Sequence, residues 1–338
     1  MIHVFGYPKE VGGANTELWH VLRLWRKCGL DVTAIPSWKA TAEWRERLDS
    51  IGCPTLEVDP DNLADVPGLA GSIVVSFCND RFLDRAHTLQ AMGCRIVWVN
   101  CMNWHFPQEK LHLRNHKIFD RYIFHCEHQR AHVVPQLRKH GYEDDRGVII
   151  RGAFELDDFP FEPLKHEPGT RFIGGRLSRC GPDKFPRDLW DQYVRVPHPF
   201  SVRVMGWREE LEEHCGLAPK WVELLPECAE SARDFMGTLH ALVPGVDCCA
   251  ENWPRVGLEA MAAGVPIVAE AKGGWLEMLN GSGVLVDSVH RQAYEVARLA
   301  YDEQHRMGVI IEGRKRVEEL ADPEGIWAAW EQVFGELA

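Results

Sequence analysis

Apolar positions along this chain fall into two series of short β-rich runs separated by helical patterns. Residues 2–5, 31–35, 72–77, 95–100 and 121–125 favour β-branched and aromatic side chains and are predicted as strands. After the first strand, Leu18, Leu22 and Trp25 recur at helical spacing and Gly29 supplies a stop. Helical patterns near 41–51, 82–92 and 127–140 fill the later gaps. The second series predicts strands at 171–174, 201–205, 221–224, 241–244, 266–269 and 283–286, with helices at 187–195, 229–239, 255–263 and 290–305. Such alternation predicts parallel sheets covered by helices on both faces. Between the series, 152–170 carries Pro160, Pro163 and Pro168, several acids and little periodicity, as a linker would. A last helix around 325–338 places Trp327 and Trp330 on an apolar face, and the Asp322-Pro323 break ahead of it lets it pack away from its sequence neighbours.

Length supports the same division, since 338 residues suit two α/β domains of about 150 each. The formal net charge of −12 repels a polyanion, so general duplex nucleic-acid binding is not expected. No apolar run reaches the length of a membrane span, and the start Met1-Ile2-His3-Val4 lacks the basic stretch and apolar core of a signal peptide. The eleven cysteines form no Cys-x-x-Cys pair, and Cys78, Cys94, Cys101 and Cys248 sit in or beside apolar runs, which fits a reduced, cytoplasmic setting. Thirteen tryptophans are read first as core packing and second as a stacking surface for sugars or bases.

Chemistry concentrates in the stretch from Glu251-Asn252-Trp253-Pro254-Arg255-Val256 to Gly264-Val265-Pro266. Glu251 and Glu259 lie eight positions apart, the first in a loop and the second one turn into a helix. With Pro254 at the first helical position, the N–H groups of Arg255, Val256 and Gly257 point out of the helix start, a natural seat for diphosphate. Glu259 beside it can accept hydrogen bonds from two vicinal hydroxyls. Two acids at this spacing would by themselves be ordinary solvated side chains; the whole segment is far more specific.

That segment resembles the E-x7-E signature of retaining glycosyltransferases of GT-B architecture, the glycogen-synthase-like and sucrose-synthase-like "glycosyl transferases group 1". Lys272-Gly273-Gly274-Trp275-Leu276-Glu277 and Gly283-Val284-Leu285-Val286 continue the match. The resemblance implies two Rossmann-like α/β domains facing across a cleft: an acceptor domain over 1–155, rejoined by the final helix, and a nucleotide-sugar domain over 165–320. It gives Glu251 to the transferred sugar and Glu259 to the ribose. The family's Gly-aromatic-Gly loop becomes Asn252-Trp253-Pro254 here. Upstream, Gly174-Gly175-Arg176-Leu177-Ser178-Arg179 and Asp183-Lys184 resemble the family's Gly-Arg-Leu…Lys element, which would set Arg176 and Lys184, with Arg179 as a substitute, against the leaving diphosphate in place of a metal ion. Gly12-Gly13-Ala14, opening the first helix, would approach the donor phosphate.

The implied reaction moves a sugar from a nucleoside-diphosphate donor, UDP-glucose by family weight, to an acceptor hydroxyl, without cofactor or metal. Asn103 or His105, after the fourth strand, would lie near the sugar or acceptor. The acceptor stays open between a sugar, a metabolite, a protein and a modified nucleobase in DNA. Two rivals share the fold: a sugar-nucleotide epimerase and a non-catalytic nucleotide-sugar-binding module. His125, His128 and His132 lack the paired ligands of a metal site.

Overall fold

The computed structural model describes residues 1–6, 12–37, 40–58, 60–115, 117–197 and 199–338. It contains two compact units, Met1–Phe154 with Asp322–Ala338, and Glu155–Ala321.

Unit 1 is a parallel sheet of β1 (Ile2–Phe5), β2 (Val32–Ile35), β3 (Ile73–Phe77), β4 (Arg95–Val99), β5 (Arg121–Phe124) and β6 (Gly147–Ile149), ordered β2-β1-β3-β4-β5-β6. Every residue of β1, β2 and β3 is buried, as expected of parallel strands covered on both faces. The covering helices are α1 (Gly13–Lys27), α2 (Ala42–Ser50), α3 (Asp80–Ala91), α4 (Pro107–Asn115) and α5 (Glu127–Arg138). Thr41 and Asn79 cap α2 and α3 by accepting from the amides of Trp44 and Phe82. The sequence pattern did not mark β6 or α4. β6 is a three-residue, half-buried edge strand, and α4 has only weak amphipathy.

Unit 2 holds β7 (Phe172–Leu177), β8 (Phe200–Met205), β9 (Val222–Leu225), β10 (Ala241–Gly245), β11 (Ile267–Glu270) and β12 (Val284–Val286), ordered β12-β11-β10-β7-β8-β9. Read from the other edge, this is the 3-2-1-4-5-6 order of a Rossmann sheet. Its helices are α6 (Leu189–Val194), α7 (Glu212–Cys215), α8 (Ala232–Met236), α9 (Arg255–Ala263), α10 (Gly274–Leu279), α11 (Val289–Tyr301) and α12 (Glu303–Leu320). The single helix expected over 290–305 is in fact two. Asp302 leaves helical geometry and caps α12 by accepting from the His305 amide at 2.9 Å. Among the described residues no helix is long and apolar enough to cross a membrane.

The last helix, α13 (Pro323–Leu337), packs on unit 1. Asp322 caps it, and Trp330 is buried edge-on against Trp25, with ring centroids 4.9 Å apart. Phe334 stacks on Trp330, and Arg121 pairs with Glu336 at 2.7 Å. Trp330→Ala should therefore cost unit 1 about 3–5 kcal/mol. A lowered urea midpoint for exchange of the β1 and β3 amides checks this; an unchanged midpoint contradicts it.

Candidate functional site

In a 3-2-1-4-5-6 sheet, strand order reverses between the first and fourth strands, and a crevice opens beyond their carboxyl ends. In unit 2 those strands are β7 and β10. A pocket partly open to solvent lies there, lined by Arg176, Leu177 and Ser178 from the end of β7 and by Pro244 and Gly245 from β10. Lys184, Glu251, Val256, Glu270, Lys272 and Trp275 complete much of the lining.

Two of the residues singled out by the sequence meet in this pocket. Lys184 Nζ donates to Glu251 Oε1 at 2.6 Å, with the side chains 17% and 32% exposed. Glu251 owes its place to a loop strapped down at nearly every residue. Gln192, wholly buried, bonds both the N–H and the carbonyl of Val246, at 2.9 and 3.0 Å. Asp247 sits in left-handed geometry (φ 64) and its amide donates to Glu270 at 3.1 Å. Lys272 Nζ donates to the Cys248 carbonyl at 2.9 Å, and the Cys249 amide to the Asp183 carbonyl at 3.1 Å. Finally, the Gly274 amide donates to the Glu251 carbonyl at 2.8 Å.

That last bond brings two backbones into contact. A Cβ on Gly273 would stand 2.5 Å from the Glu251 carbonyl oxygen, and one on Gly274 would stand 1.7 Å from that of Asn252. Gly273 also holds φ 60. Residues 273–274 must be glycine for the loop to lie where it does.

α9 covers the residues expected of it, 255–263, but its proline precedes the helix rather than opening it. Pro254 is the capping residue (φ −72, ψ 90), and Arg255 is the first helical residue. The Gly257 amide is taken by the Pro254 carbonyl at 2.7 Å. Of the three amides expected to face an anion, Gly257's is therefore spent inside the helix start, while Val256 lines the pocket. Proline fits the cap because its fixed φ is shared by both positions. α9 is buried along most of its length and ends at Gly264 in left-handed geometry, against Pro163. Glu259 is buried on α9 but does not line the pocket. Burial raises its carboxyl above the usual range, and Arg255 one turn earlier partly opposes this. Asn252, Trp253 and Arg255 are buried beside the loop.

Arg176 is only 3% exposed. Its guanidinium lies 4.5 Å above the Phe185 ring, donates to the Lys184 carbonyl and contacts Cys248 Sγ at 3.9 Å. It therefore holds the Lys184 backbone while lining the pocket. Arg179 does not reach the pocket; it pairs with Asp183 at 2.5 Å. Cys248, Cys249, Glu270, Lys272 and Trp275 were not among the expected site residues. Their signal was the Gly-Gly pair after β11, which demands a close backbone approach.

The remaining expected residues lie in unit 1. Gly12 is the capping residue of α1 at φ 124; Gly13 and Ala14 open the helix, and residues 7–11 ahead of them lie outside the described residues. Asn103 and His105 sit in the loop after β4. That loop is organised by buried polar groups the sequence did not reveal. Asn100 Nδ2 donates to the Trp104 carbonyl at 3.0 Å and to the Tyr122 hydroxyl at 2.7 Å, and Gln129 Nε2 donates to the Asn100 and Met102 carbonyls at 2.6 and 2.9 Å. Glu109 accepts from Trp98 Nε1 at 3.0 Å, the Phe106 amide at 2.7 Å and the Tyr122 hydroxyl. Burial pushes Glu109 up to about 7 despite those bonds. Burial, Lys110 and His140 hold the His105 imidazole below its ordinary value. His125 is buried against the Ile150 carbonyl at 3.1 Å, apart from the His128–His132 ring pair. Among the described residues no three His, Cys, Asp or Glu side chains form a group able to hold a metal ion.

The contrast among glycines makes a test. Gly274→Ala forces a Cβ onto a carbonyl oxygen and should cost more than about 2 kcal/mol, while Gly13→Ala, with nothing within 4 Å, should shift stability by no more than about 1 kcal/mol. Equal melting shifts for the two variants would contradict the account of the loop.

Comparison with known proteins agrees with this geometry. Residues 175–302 match the family described as "Glycosyl transferases group 1", a span that contains the whole pocket lining. No curated protein matches the chain by sequence. Among solved structures, Anabaena HepE in complex with UDP-glucose is similar at TM-score 0.79 and 15% identity, with 98% of each chain covered. Sucrose-phosphate synthase from Thermosynechococcus elongatus is similar at TM-score 0.74 and 16% identity, covering 99% of this chain and 98% of its own. An S. aureus TarM variant in complex with fondaparinux, α-GlcNAc-glycerol and UDP is similar at TM-score 0.76 and 11% identity, covering 98% of this chain and 99% of its own. The fold is therefore GT-B, two Rossmann-like units each built on a six-stranded parallel sheet.

Proposed function

We propose that this protein is a retaining glycosyltransferase whose unit 2 binds a nucleoside-diphosphate sugar at the ends of β7 and β10. The observation that carries the reading is the Lys184–Glu251 pair, set in the pocket at the strand-order reversal and directly ahead of α9. Departure of a nucleoside diphosphate develops negative charge, and fixed positive groups stabilise it best where water is excluded. Lys184 supplies an ammonium, Arg176 a buried guanidinium edge, and the α9 start its dipole and the Val256 amide. Glu251 would orient sugar hydroxyls and favour positive charge growing at the anomeric carbon, an interaction that strengthens toward the transition state. Glu259 would hold the ribose. Retention follows if the acceptor hydroxyl attacks on the face the phosphate leaves, with the phosphate oxygen accepting its proton. UDP-glucose as donor is supported by the complex formed by the similar Anabaena protein. The fixed cations take the part a divalent ion plays in other transferases, so no metal is required in this reading.

Calorimetry of UDP-glucose in excess EDTA tests it. The wild type should bind, and Glu259→Ala should bind at least tenfold more weakly, because each bond to a charged acceptor is worth about 1.5–3 kcal/mol. Since burial raises the Glu259 carboxyl, acidification should weaken wild-type binding at a pH above the ordinary glutamate range, as the group gains its proton. Glu259→Ala should show no such step. Binding that requires added Mg²⁺, or that is unchanged in the folded variant, would contradict these assignments.

A further inference from the structure

The proposed reading assigns Lys184 to the diphosphate and Glu251 to the sugar, yet the two are bonded to each other at 2.6 Å. A carboxylate at that distance cancels most of the field its partner ammonium offers to a third group, and adds repulsion of its own toward phosphate. Both backbones are held, so the two groups stay within reach of each other and only side-chain rotation parts them. Arg176 and the Cys249 amide grip the carbonyls of Lys184 and Asp183, and the Gly274 amide grips that of Glu251. Other cations near the pocket are also engaged, Lys272 by the Cys248 carbonyl and Arg179 by Asp183.

From this geometry we infer that Glu251 is a specificity-determining group, which makes the pocket prefer a diphosphate that carries a sugar over the bare nucleoside diphosphate. The inference rests on the donor-site reading above. A donor brings hydroxyl groups that donate to the Glu251 carboxylate, so Lys184 can turn its donors to the phosphate with its charge less quenched. A bare diphosphate brings no such hydroxyls, and Glu251 keeps its hold on Lys184. After transfer the sugar is gone, the carboxylate reclaims the ammonium, and the product is held less tightly. One ion pair thus serves both the leaving group and its release.

The test measures UDP and UDP-glucose binding to the full chain by calorimetry, for wild type, Glu251→Gln, Lys184→Met and the double variant. Wild type should bind UDP-glucose more tightly than UDP. Glu251→Gln, which keeps the side-chain shape, should bind UDP about two- to fivefold more tightly than wild type, the worth of a partly exposed ion pair. It should show no comparable gain for UDP-glucose, so the preference narrows. Lys184→Met should weaken both ligands and abolish the gain in the double variant. An unchanged or weakened UDP affinity in folded Glu251→Gln overturns the inference while leaving the donor site standing. Failure of the wild type to bind either ligand or any other nucleotide sugar overturns the donor-site reading, and this inference with it.

Discussion

The organisation of unit 2 depends on the close passage of two backbone segments, 251–252 and 273–274. Glycine at both later positions removes the side chains that would hold these segments apart, and the Gly274 amide then bonds the Glu251 carbonyl. Everything chemical in the pocket hangs on that contact. It sets the height of Glu251 above the sheet, and so its reach to Lys184, which arrives from the loop after β7. It also sets the direction from which the chain enters α9. The straps from Gln192, Glu270 and Lys272 fix the preceding residues, so a loop carrying an acid in a pocket behaves as part of the rigid sheet.

Unit 1 solves a similar problem differently. The loop after β4 is held by buried side-chain polar groups, with Asn100, Gln129 and Glu109 each satisfying backbone groups of the turn. A buried carboxyl is tolerated there because three donors converge on it. Asn103 and His105, the positions expected near the sugar or acceptor, thus sit in a loop held by residues from the end of β4, α4 and α5.

Much of this was legible in the sequence where the information is local. The E-x7-E spacing and the proline lie within one loop and helix, and the Gly-Gly pair follows the very next strand, so they could be read together. The position of Pro254 was misjudged by one residue because φ near −65° suits both a cap and a first helical position. The Asp302 cap that separates α11 from α12 was readable in principle, but continuous apolar spacing masked it. What no local pattern encodes is tertiary pairing. Lys184 and Glu251 are 67 positions apart, and nothing near either one reports the other. Arg176 looked like a phosphate ligand from its motif, whereas its burial over the Phe185 ring and its bond to the Lys184 carbonyl show a supporting role as well. Arg179 was placed with the cations, and a nearby acid, Asp183, took it.

In the proposed reaction the acceptor hydroxyl attacks the anomeric carbon on the same face that the phosphate leaves. Proton NMR of the fresh product from UDP-glucose, followed through the anomeric coupling, tests it most directly. With donor turnover, retention gives an α-linked product. A β-linked product from that α-donor would contradict it.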